Sequence, residues 1–175
     1  MTTVVLSVGS NLGDRLAHLR SVVDGLGDAL VAASGVYETE PWGNVRQGPF
    51  LNAVLLADDP ARDGHAWLRR AQDFERAARR VRDQRWGPRT LDVDVVACYH
   101  VGPRGRVDVV CGDGTLTLPH PQAHLRAFVM VPWLDVDPAA ELTLPEGPRP
   151  VAQLLAELDP AEREGVRPTR LTLES

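Results

Sequence analysis

The order of the apolar segments constrains the fold more than any other feature of this sequence. Residues 3–9, 30–41, 50–59 and 91–99 are short apolar or alternating runs, which are typical of strands. Residues 14–28 and 60–81 place apolar side chains three or four positions apart, which predicts helices. The resulting order, β-α-β-β-α-β, predicts an α+β protein with a ferredoxin-like core, in which a mainly antiparallel sheet carries both helices on one face.

The last part of the chain predicts additions to that core. Residues 100–118 combine many glycines with short β-like pieces, which indicates a hairpin, and helical pieces near Leu134 and over 151–158 indicate a C-terminal helical extension. A length of 175 residues fits one domain. We assign this domain to residues 1–160 and predict that residues 161–175 form a polar tail, partly disordered from Glu164 onward.

The basic residues are all arginine: the chain has 19 basic residues, no lysine and a net charge of -5. The absence of lysine excludes a Walker A phosphate-binding loop, and the acidic balance argues against a general nucleic-acid binder. Cys98 and Cys111 make no disulfide framework, and no signal peptide or membrane-spanning run is evident. These features predict a soluble, cytoplasmic protein with reduced thiols.

Two acidic residues stand in the fourth strand, within "RWGPRTLDVDVV" at residues 85–96. Asp92 and Asp94 leave the same face of the strand about 7 Å apart, while Val93 and Val95 face the other way. Like charges this close repel unless a cation lies between them, and carboxylate oxygens suit magnesium. For the pair taken alone, an ordinary half-buried strand with a polar outer face is the better interpretation.

A basic segment beside this strand favours the metal-binding interpretation. Residues 76–89 contain six arginines: Arg76, Arg79, Arg80, Arg82, Arg85 and Arg89. Guanidinium groups bind phosphate oxygens in pairs, so arginines next to metal-binding carboxylates indicate a site for a polyphosphate such as ATP. The alternative is a solvated helix face followed by a basic loop.

Five segments resemble the 6-hydroxymethyl-7,8-dihydropterin pyrophosphokinase family in order and spacing. They are "VGSNLGDR", "YETEPWG", "FLNAVL", "RVRDQRWGPRTLDVDVV" and "LPHPQAHLRAFVMVPWLDV", and the resemblance extends from about residue 3 to residue 158. It implies a ferredoxin-like fold and a step of tetrahydrofolate biosynthesis. In that step the β,γ-diphosphate of ATP is transferred to the hydroxymethyl group of the dihydropterin, and AMP is released.

The resemblance also implies roles for individual residues. Asp92 and Asp94 resemble the carboxylates that hold two Mg2+ ions, and Asp94 is a candidate acceptor for the hydroxyl proton. Arg80 and Arg82 fall in a mobile loop that closes over the site, and we expect both to be catalytic. The positions that resemble ATP-binding residues are Gln72, Glu75, Arg82, Trp86, Arg89, Thr117, His120 and Arg126. Those that resemble the pterin pocket are Thr39, Trp42, Phe50, Asn52 and Phe128, with the two phenylalanines on either side of the ring.

The sequence departs from the family pattern at several positions. Phe50 stands where tyrosine is frequent, Trp42 where smaller apolar residues are usual, and Pro121 where an aromatic residue can occur; the segment 99–115 is longer than in compact members. Two other function classes stay open from the residues alone, a different metal-dependent nucleotidyl or phosphoryl transferase and an RNA-binding ferredoxin-like module. The acidic charge disfavours the second. We expect a monomer that binds ATP and the pterin and binds neither nucleic acid nor membranes.

Overall fold

The computed structural model describes residues 2–40, 48–82 and 90–174, and for residues 79–82 it describes the helical backbone without the side chains. The core elements are β1 (Thr2–Ser10), α1 (Arg15–Leu26), β2 (Leu30–Ala33), β3 (Tyr37–Thr39), β4 (Phe50–Asp58), α2 (Gly64–Arg82) and β5 (Asp92–Gly102). The later elements are β6 (Gly105–Asp108), β7 (Cys111–Gly112), β8 (Thr117–Leu118), α3 (Ala127–Val136), β9 (Glu141–Leu144), β10 (Gly147–Pro150), α4 (Val151–Ala156), α5 (Pro160–Glu164) and β11 (Arg167–Pro168).

The main sheet has the strand order β11-β3-β4-β1-β5-β6, and β2 also pairs with β4. All of its strand pairs are antiparallel, and β1 lies in the middle between β4 and β5. Each helical connection, through α1 and through α2, therefore passes over one intervening strand. This is the ferredoxin-like arrangement that the β-α-β-β-α-β order predicts, and the prediction is confirmed.

The sheet has an apolar core on each face. On one face α1 and α2 bury Leu19, Trp67 and Phe74 against the inward residues of β1, β4 and β5. On the other face, α3 and α4 bury residues that include Met130 and Trp133. Burying a side chain of this size contributes about 1.5–3 kcal/mol, so each face stabilises the sheet separately. The C-terminal helical extension thus covers the second apolar face of the sheet, which would otherwise be exposed to solvent.

Aspartates set where the two long helices begin. Asp14 accepts a hydrogen bond from the Ala17 amide 3.1 Å away and so caps α1. Asp63 does the same for the Ala66 amide at 2.8 Å, and α2 therefore begins at Gly64. The prediction of a helix from residue 60 was wrong by four residues, because Pro60 lies in a turn whose Ala61 amide is bound by Asp59.

The second predicted strand, residues 30–41, is interrupted. β2 and β3 pair with successive parts of β4, and Ser34 lies between them. The Ser34 hydroxyl accepts the Val54 amide at 2.8 Å while the Ser34 amide donates to the Val54 carbonyl at 2.9 Å. A side-chain oxygen thus replaces a backbone carbonyl in the ladder, and the chain bends without leaving the Val54 amide unpaired.

The C-terminal tail is ordered over its described residues, contrary to the prediction for residues 164–175. β11 pairs with β3 at the edge of the main sheet, and Leu173 is buried in the core beside α1. Arg20 of α1 donates to the Thr172 carbonyl at 2.9 Å. These backbone contacts involve few apolar side chains, so the composition of the tail did not indicate them.

The predicted hairpin over 100–118 is present as two pieces. β5 continues to Gly102 and pairs with β6, and β7 pairs with β8. Both cysteines are free thiols, as predicted. Among the described residues, no helix is long and apolar enough to cross a membrane.

Candidate functional site

The polar residues of the site lie on the face of the sheet that packs against α3 and α4, next to the apolar core of that face, which we call the second core. Across β4, β1 and β5 the register aligns Asn52, Gly9 and Asp92 in one row, and it aligns Ser7 with Asp94 in the next. These five residues line one cavity on the face of the sheet that carries α3. The apolar packing of that face therefore ends in a polar surface at one end of the three central strands.

The acidic pair has the arrangement that the alternation in β5 predicts. Val93 and Val95 are buried in the core beneath α1 and α2, whereas Asp92 and Asp94 are half-buried and line the cavity. Arg126 lies before α3, and its Nη1 is 3.7 Å from Oδ2 of Asp94. One guanidinium thus partly balances the two carboxylates.

Side chains and turns also hold β5 from its outer edge. A carboxylate oxygen of Glu75 accepts the Val93 amide at 3.0 Å, and the His120 amide donates to the Val96 carbonyl at 2.8 Å. This contact of Glu75 therefore joins α2 to β5 at Val93, the residue between the two aspartates. This places Glu75 behind the acidic pair, outside the cavity lining.

A carboxamide lies at the opposite end of the cavity. Asn52 is buried, and its Nδ2 donates to Oγ1 of Thr39 at 2.7 Å. Gly9 lies beside it, and a Cβ atom at that position would come within 2.8 Å of Oδ1 of Asn52. A larger residue at position 9 would displace the carboxamide, so glycine is required there by close approach rather than by backbone conformation.

Two aromatic side chains complete this end. Phe50 begins β4 and Phe128 lies in the first turn of α3, and both are half-buried and line the cavity. Phe128 also packs against the second core, and the Arg126 guanidinium lies 5.6 Å from the centre of its ring. A ring that remains accessible in a cavity can stack on a planar ligand, which a fully buried core aromatic cannot do.

The segment before α3 brings a histidine next to the acidic pair. The Gln122 amide donates to Nδ1 of His120 at 3.2 Å, and Arg126 Nη2 donates to Oε1 of Gln122 at 3.1 Å. Burial lowers the pKa of His120, with Asp94 opposing and Arg126 reinforcing the shift. His120 is therefore neutral at pH 7, and among the side chains that the structure describes here Arg126 carries the positive charge of this wall.

The cavity has a volume of about 730 Å³, within the usual range for small-molecule sites. The predicted site residues that it brings together are Thr39, Phe50, Asn52, Asp92, Asp94, His120, Arg126 and Phe128. Paired carboxylates with an arginine lie at one end, and aromatic rings with a carboxamide lie at the other; these groups are chemically suited to a phosphate group and to a planar polar ring, respectively.

The family comparison agrees with this geometry. The sequence model of the 7,8-dihydro-6-hydroxymethylpterin-pyrophosphokinase (HPPK) family matches residues 5–138. The chain belongs to the HPPK family. A Mycobacterium tuberculosis (strain ATCC 25618 / H37Rv) protein named 2-amino-4-hydroxy-6-hydroxymethyldihydropteridine pyrophosphokinase is 67% identical over 168 residues, which cover 95% of this chain and 89% of the relative. The protein of the same name from Mycobacterium leprae (strain TN) is 63% identical over 176 residues, covering 99% and 92%.

Solved structures show the same fold. The chain is similar to the crystal structure of Plasmodium falciparum HPPK-DHPS wild type with SDX-DHP, with a TM-score of 0.60 and 12% sequence identity. The match covers 90% of this chain and 43% of that chain. It supports the ferredoxin-like fold inferred from the strand order.

Other residues assigned by the resemblance to the HPPK family lie outside this cavity or outside the described part of the chain. Gln72 is exposed on α2, which covers the opposite face of the sheet, and Thr117 lines a neighbouring cavity of about 840 Å³ that shares His120 with the first. Trp42, Trp86 and Arg89, together with the side chains of Arg80 and Arg82, lie outside the described residues. The pterin-binding role of Trp42, the catalytic role of Arg80 and the ATP-binding roles of the others stay predictions.

The structure adds site residues that the sequence analysis did not identify. Ser7, Gly9, Glu40, Gln122 and Leu125 also line the HPPK cavity. Ser7 and Gly9 stand two apart in β1, as Asp92 and Asp94 do in β5, and the apolar side chains of Leu6 and Val8 alternate with them. This alternation could have identified Ser7 and Gly9 from the sequence. Glu40, Gln122 and Leu125 lie outside the strands and α-helices, so no periodic pattern marks them.

The donor set fits magnesium that is shared with a substrate. No group of three or more histidine, cysteine, aspartate or glutamate side chains suited to a metal occurs among the described residues. Asp92 and Asp94 supply two carboxylates at the cavity surface, and magnesium commonly combines one or two carboxylates with water and substrate phosphates. The arrangement therefore suits metal ions that arrive with the nucleotide.

Proposed function

We propose that this cavity is the active site in which the chain transfers the diphosphate of ATP to 6-hydroxymethyl-7,8-dihydropterin. The products are AMP and the pterin diphosphate, an intermediate of tetrahydrofolate biosynthesis. The observation that carries the assignment is that one cavity joins the acidic pair Asp92 and Asp94 to the aromatic and carboxamide group of Phe50, Phe128 and Asn52.

The aromatic end suits the pterin. Phe50 and Phe128 offer apolar ring faces to a flat heterocycle, and stacking of this kind contributes about 1–3 kcal/mol per ring by analogy with nucleic-acid bases. Asn52 keeps its Oδ1 and one amide hydrogen available after donating to Thr39, so it can both donate to and accept from the polar edge of the ring. Trp42 is predicted to complete the rim of this pocket.

The acidic end suits the triphosphate. Asp92 and Asp94 would hold two magnesium ions, which neutralise the phosphate charge when bound. Arg126 lies beside Asp94, and it can bind a phosphate oxygen while it balances that carboxylate. Asp94 is also the group we propose to accept the proton of the attacking hydroxyl, because its carboxylate lines the cavity that the pterin would share with the triphosphate.

Further nucleotide contacts follow from the resemblance. His120 would contact the nucleotide, and burial lowers the pKa of its imidazole before the nucleotide binds. Arg80 and Arg82 would close over the phosphates. Gln72, Glu75, Trp86, Arg89 and Thr117 would contact the nucleotide. Phosphoryl transfer needs mainly positioning and charge neutralisation, so no covalent enzyme intermediate is required.

The product set tests this function directly. Purified chain is incubated with ATP, magnesium chloride and 6-hydroxymethyl-7,8-dihydropterin, and nucleotide and pterin products are separated by chromatography. Equal amounts of AMP and pterin diphosphate are expected, and omission of either the pterin or magnesium should abolish both. ADP with a pterin monophosphate would instead indicate a different phosphoryl transferase and would refute the proposal.

We also propose that the chain acts as a cytoplasmic monomer without nucleic-acid or membrane partners. The net charge of -5 supports weak affinity for nucleic acid. Light scattering of the purified chain at catalytic concentrations should give a mass near 19.1 kDa, and a mass of twice that value would refute the monomer.

A further inference from the structure

One arginine connects two segments that border the pterin end of the cavity. Arg15 is the first residue of α1, and its Nη1 donates to Oε2 of Glu38 at 3.2 Å and to the Pro49 carbonyl at 2.9 Å. Glu38 precedes Thr39 in β3, and Pro49 precedes Phe50 in β4. A single guanidinium therefore bridges the side chain of Glu38 and the backbone carbonyl of Pro49, each next to a cavity residue.

A second arginine reaches the same glutamate from the C-terminal segment. Arg167 of β11 donates to Oε1 of Glu38 at 3.2 Å and to Oε1 of Glu40 at 3.1 Å. Glu38 thus accepts one arginine on each carboxylate oxygen. The two glutamates flank Thr39, and Glu40 itself lines the cavity.

The C-terminal segment is fastened at this contact and beyond it. Arg167 and Pro168 pair with β3, and both the amide and the hydroxyl of Thr169 donate to the Val36 carbonyl. Farther along, Leu173 is buried against the core. Arg167 is therefore presented to Glu38 and Glu40 from an anchored backbone.

We propose that Arg15, Glu38 and Arg167 are positioning residues that set the affinity of the site for the pterin. The inference rests on the function proposed above. Arg15 and Glu38 link the end of β3 to the residue before β4, next to the pair that Thr39 forms with Phe50, and Arg167 holds Glu38 in place for that link. They act through Thr39, Asn52 and Phe50, and displacements of about 1 Å at such residues are sufficient to weaken substrate positioning.

The network is better suited to local positioning than to global stability. The side chains of Arg15 and Glu38 are each 30% exposed and that of Arg167 is 46% exposed. Exposed ion pairs contribute little to the free energy of unfolding. Loss of one member should therefore change the geometry of the cavity more than it changes the melting temperature.

The test compares Arg15→Gln, Arg167→Gln and Glu38→Gln with Arg106→Gln. Arg106 is a matched control: its side chain is 25% exposed, it pairs with Asp108 and Asp137, and it lies on β6 at the opposite edge of the sheet. For each variant we would measure kcat, the KM for pterin and for ATP, and the melting temperature. Calorimetric titration with pterin in the presence of a non-hydrolysable ATP analogue and magnesium supplies an affinity that does not depend on turnover.

We expect each network variant to raise the pterin KM and Kd roughly threefold to tenfold while ATP binding stays the same. Arg15→Lys should recover part of the loss, because the ammonium group can still donate to Glu38 and Pro49. In the double variant Arg15→Gln/Glu38→Gln, the fold-loss of pterin affinity should be smaller than the product of the two single fold-losses, because both substitutions remove the same Arg15–Glu38 interaction.

Three results would overturn the inference: an unchanged pterin affinity in the network variants, an equal loss of ATP affinity, or the same loss in Arg106→Gln. A variant that fails to fold would also count against it, because the network would then be structural. The wild-type measurement separates the two proposals. If the wild-type chain makes no pterin diphosphate and binds no pterin, the proposed function and this inference fail together; if it is active and the network variants match it, this inference alone fails.

Discussion

Gly9 provides space that the Asn52 carboxamide needs. Because a Cβ at position 9 would lie 2.8 Å from Oδ1 of Asn52, Gly9→Ala should push that side chain away from Thr39. We expect a loss of pterin affinity of about tenfold, consistent with a misplaced buried hydrogen bond. Gly112→Ala is the control, since no atom lies within 4 Å of the added Cβ. Calorimetric titration of both variants with pterin checks this, and equal affinities would contradict it.

The two carboxylates should be needed for turnover and dispensable for folding. Asp92→Asn and Asp94→Asn keep the shape of the side chain and remove the charge that binds metal. Loss of several kcal/mol of charge stabilisation corresponds to a fall in kcat/KM of roughly a thousandfold.

Steady-state assays and thermal melts of both aspartate variants test this prediction. Asp73→Asn is the control, because Asp73 lies on the exposed side of α2 and pairs with Arg76. Normal turnover in either cavity variant would remove the basis for a site with two metal ions.

At the scale of elements, α3 has two functions within two turns. Its first turn presents Phe128 to the cavity, and its next residues, Val129 and Met130, are buried in the second core. Helical periodicity alone cannot separate these functions, because a ring that stacks on a ligand and a ring that fills a core are equally apolar. Exposure separates them: Phe128 is half-buried, while Met130 is 0% exposed.

Phe128→Ala and Met130→Ala should therefore differ in what they impair. Phe128→Ala should weaken pterin binding by about 1–3 kcal/mol with a modest fall in melting temperature, since the ring is already partly open to solvent. Met130→Ala should cost about 2–5 kcal/mol of unfolding free energy, because it leaves a cavity in a packed core. Denaturant unfolding and pterin titration of each variant distinguish the effects. A stability loss in Phe128→Ala as large as that in Met130→Ala, with normal pterin affinity, would contradict the stacking role.

At the scale of the whole molecule, Cys98 reports on global unfolding. Burial raises the pKa of its thiol from 9.0 to about 12, and Cys111 and Asp63 contribute further. The folded state therefore keeps this thiol protonated, and the corresponding part of the stability is present below pH 9 and is lost as the pH rises from 9 to 12. The thiolate is the reactive form, so the native Cys98 should be inert at pH 8.

Labelling of the Cys111→Ser variant tests this prediction, because Cys98 is then the remaining thiol. With an aromatic disulfide reagent at pH 8, its reaction rate should follow global unfolding and increase with denaturant, whereas wild-type protein should also show a faster phase from half-buried Cys111. Reaction of Cys98 at the rate of a free thiol in native buffer would contradict the predicted burial.

The sequence predicted the parts of the molecule that depend on side-chain period. The order of strands and helices, the buried stripe of α2 and the two faces of β5 all follow from apolar spacing. The break at Ser34 and the pairing of β11 depend on individual backbone hydrogen bonds, which leave no periodic trace. The same limit applies to the site: alternation marks Asp92 and Asp94, and also the face of β1 that carries Gly9, whereas the close approach of Gly9 to Asn52 depends on the register between β1 and β4.

The irregularity in the pairing of β5 with β1 has a consequence for behaviour at high concentration. The register shifts between Val95 and Ala97, so Val96 is an extra residue in β5. In a regular strand, the backbone groups that face one edge recur at every second residue. In β5, however, the Val93 amide and the Cys98 carbonyl both face away from β1, although the two residues are an odd number of positions apart. The Val93 amide donates to Glu75, and the Cys98 carbonyl accepts from the Val109 amide. Val96 meets the His120 amide along the same edge. Three different segments thus occupy hydrogen-bonding groups on this part of β5, and this closes that stretch of the strand to pairing with another chain.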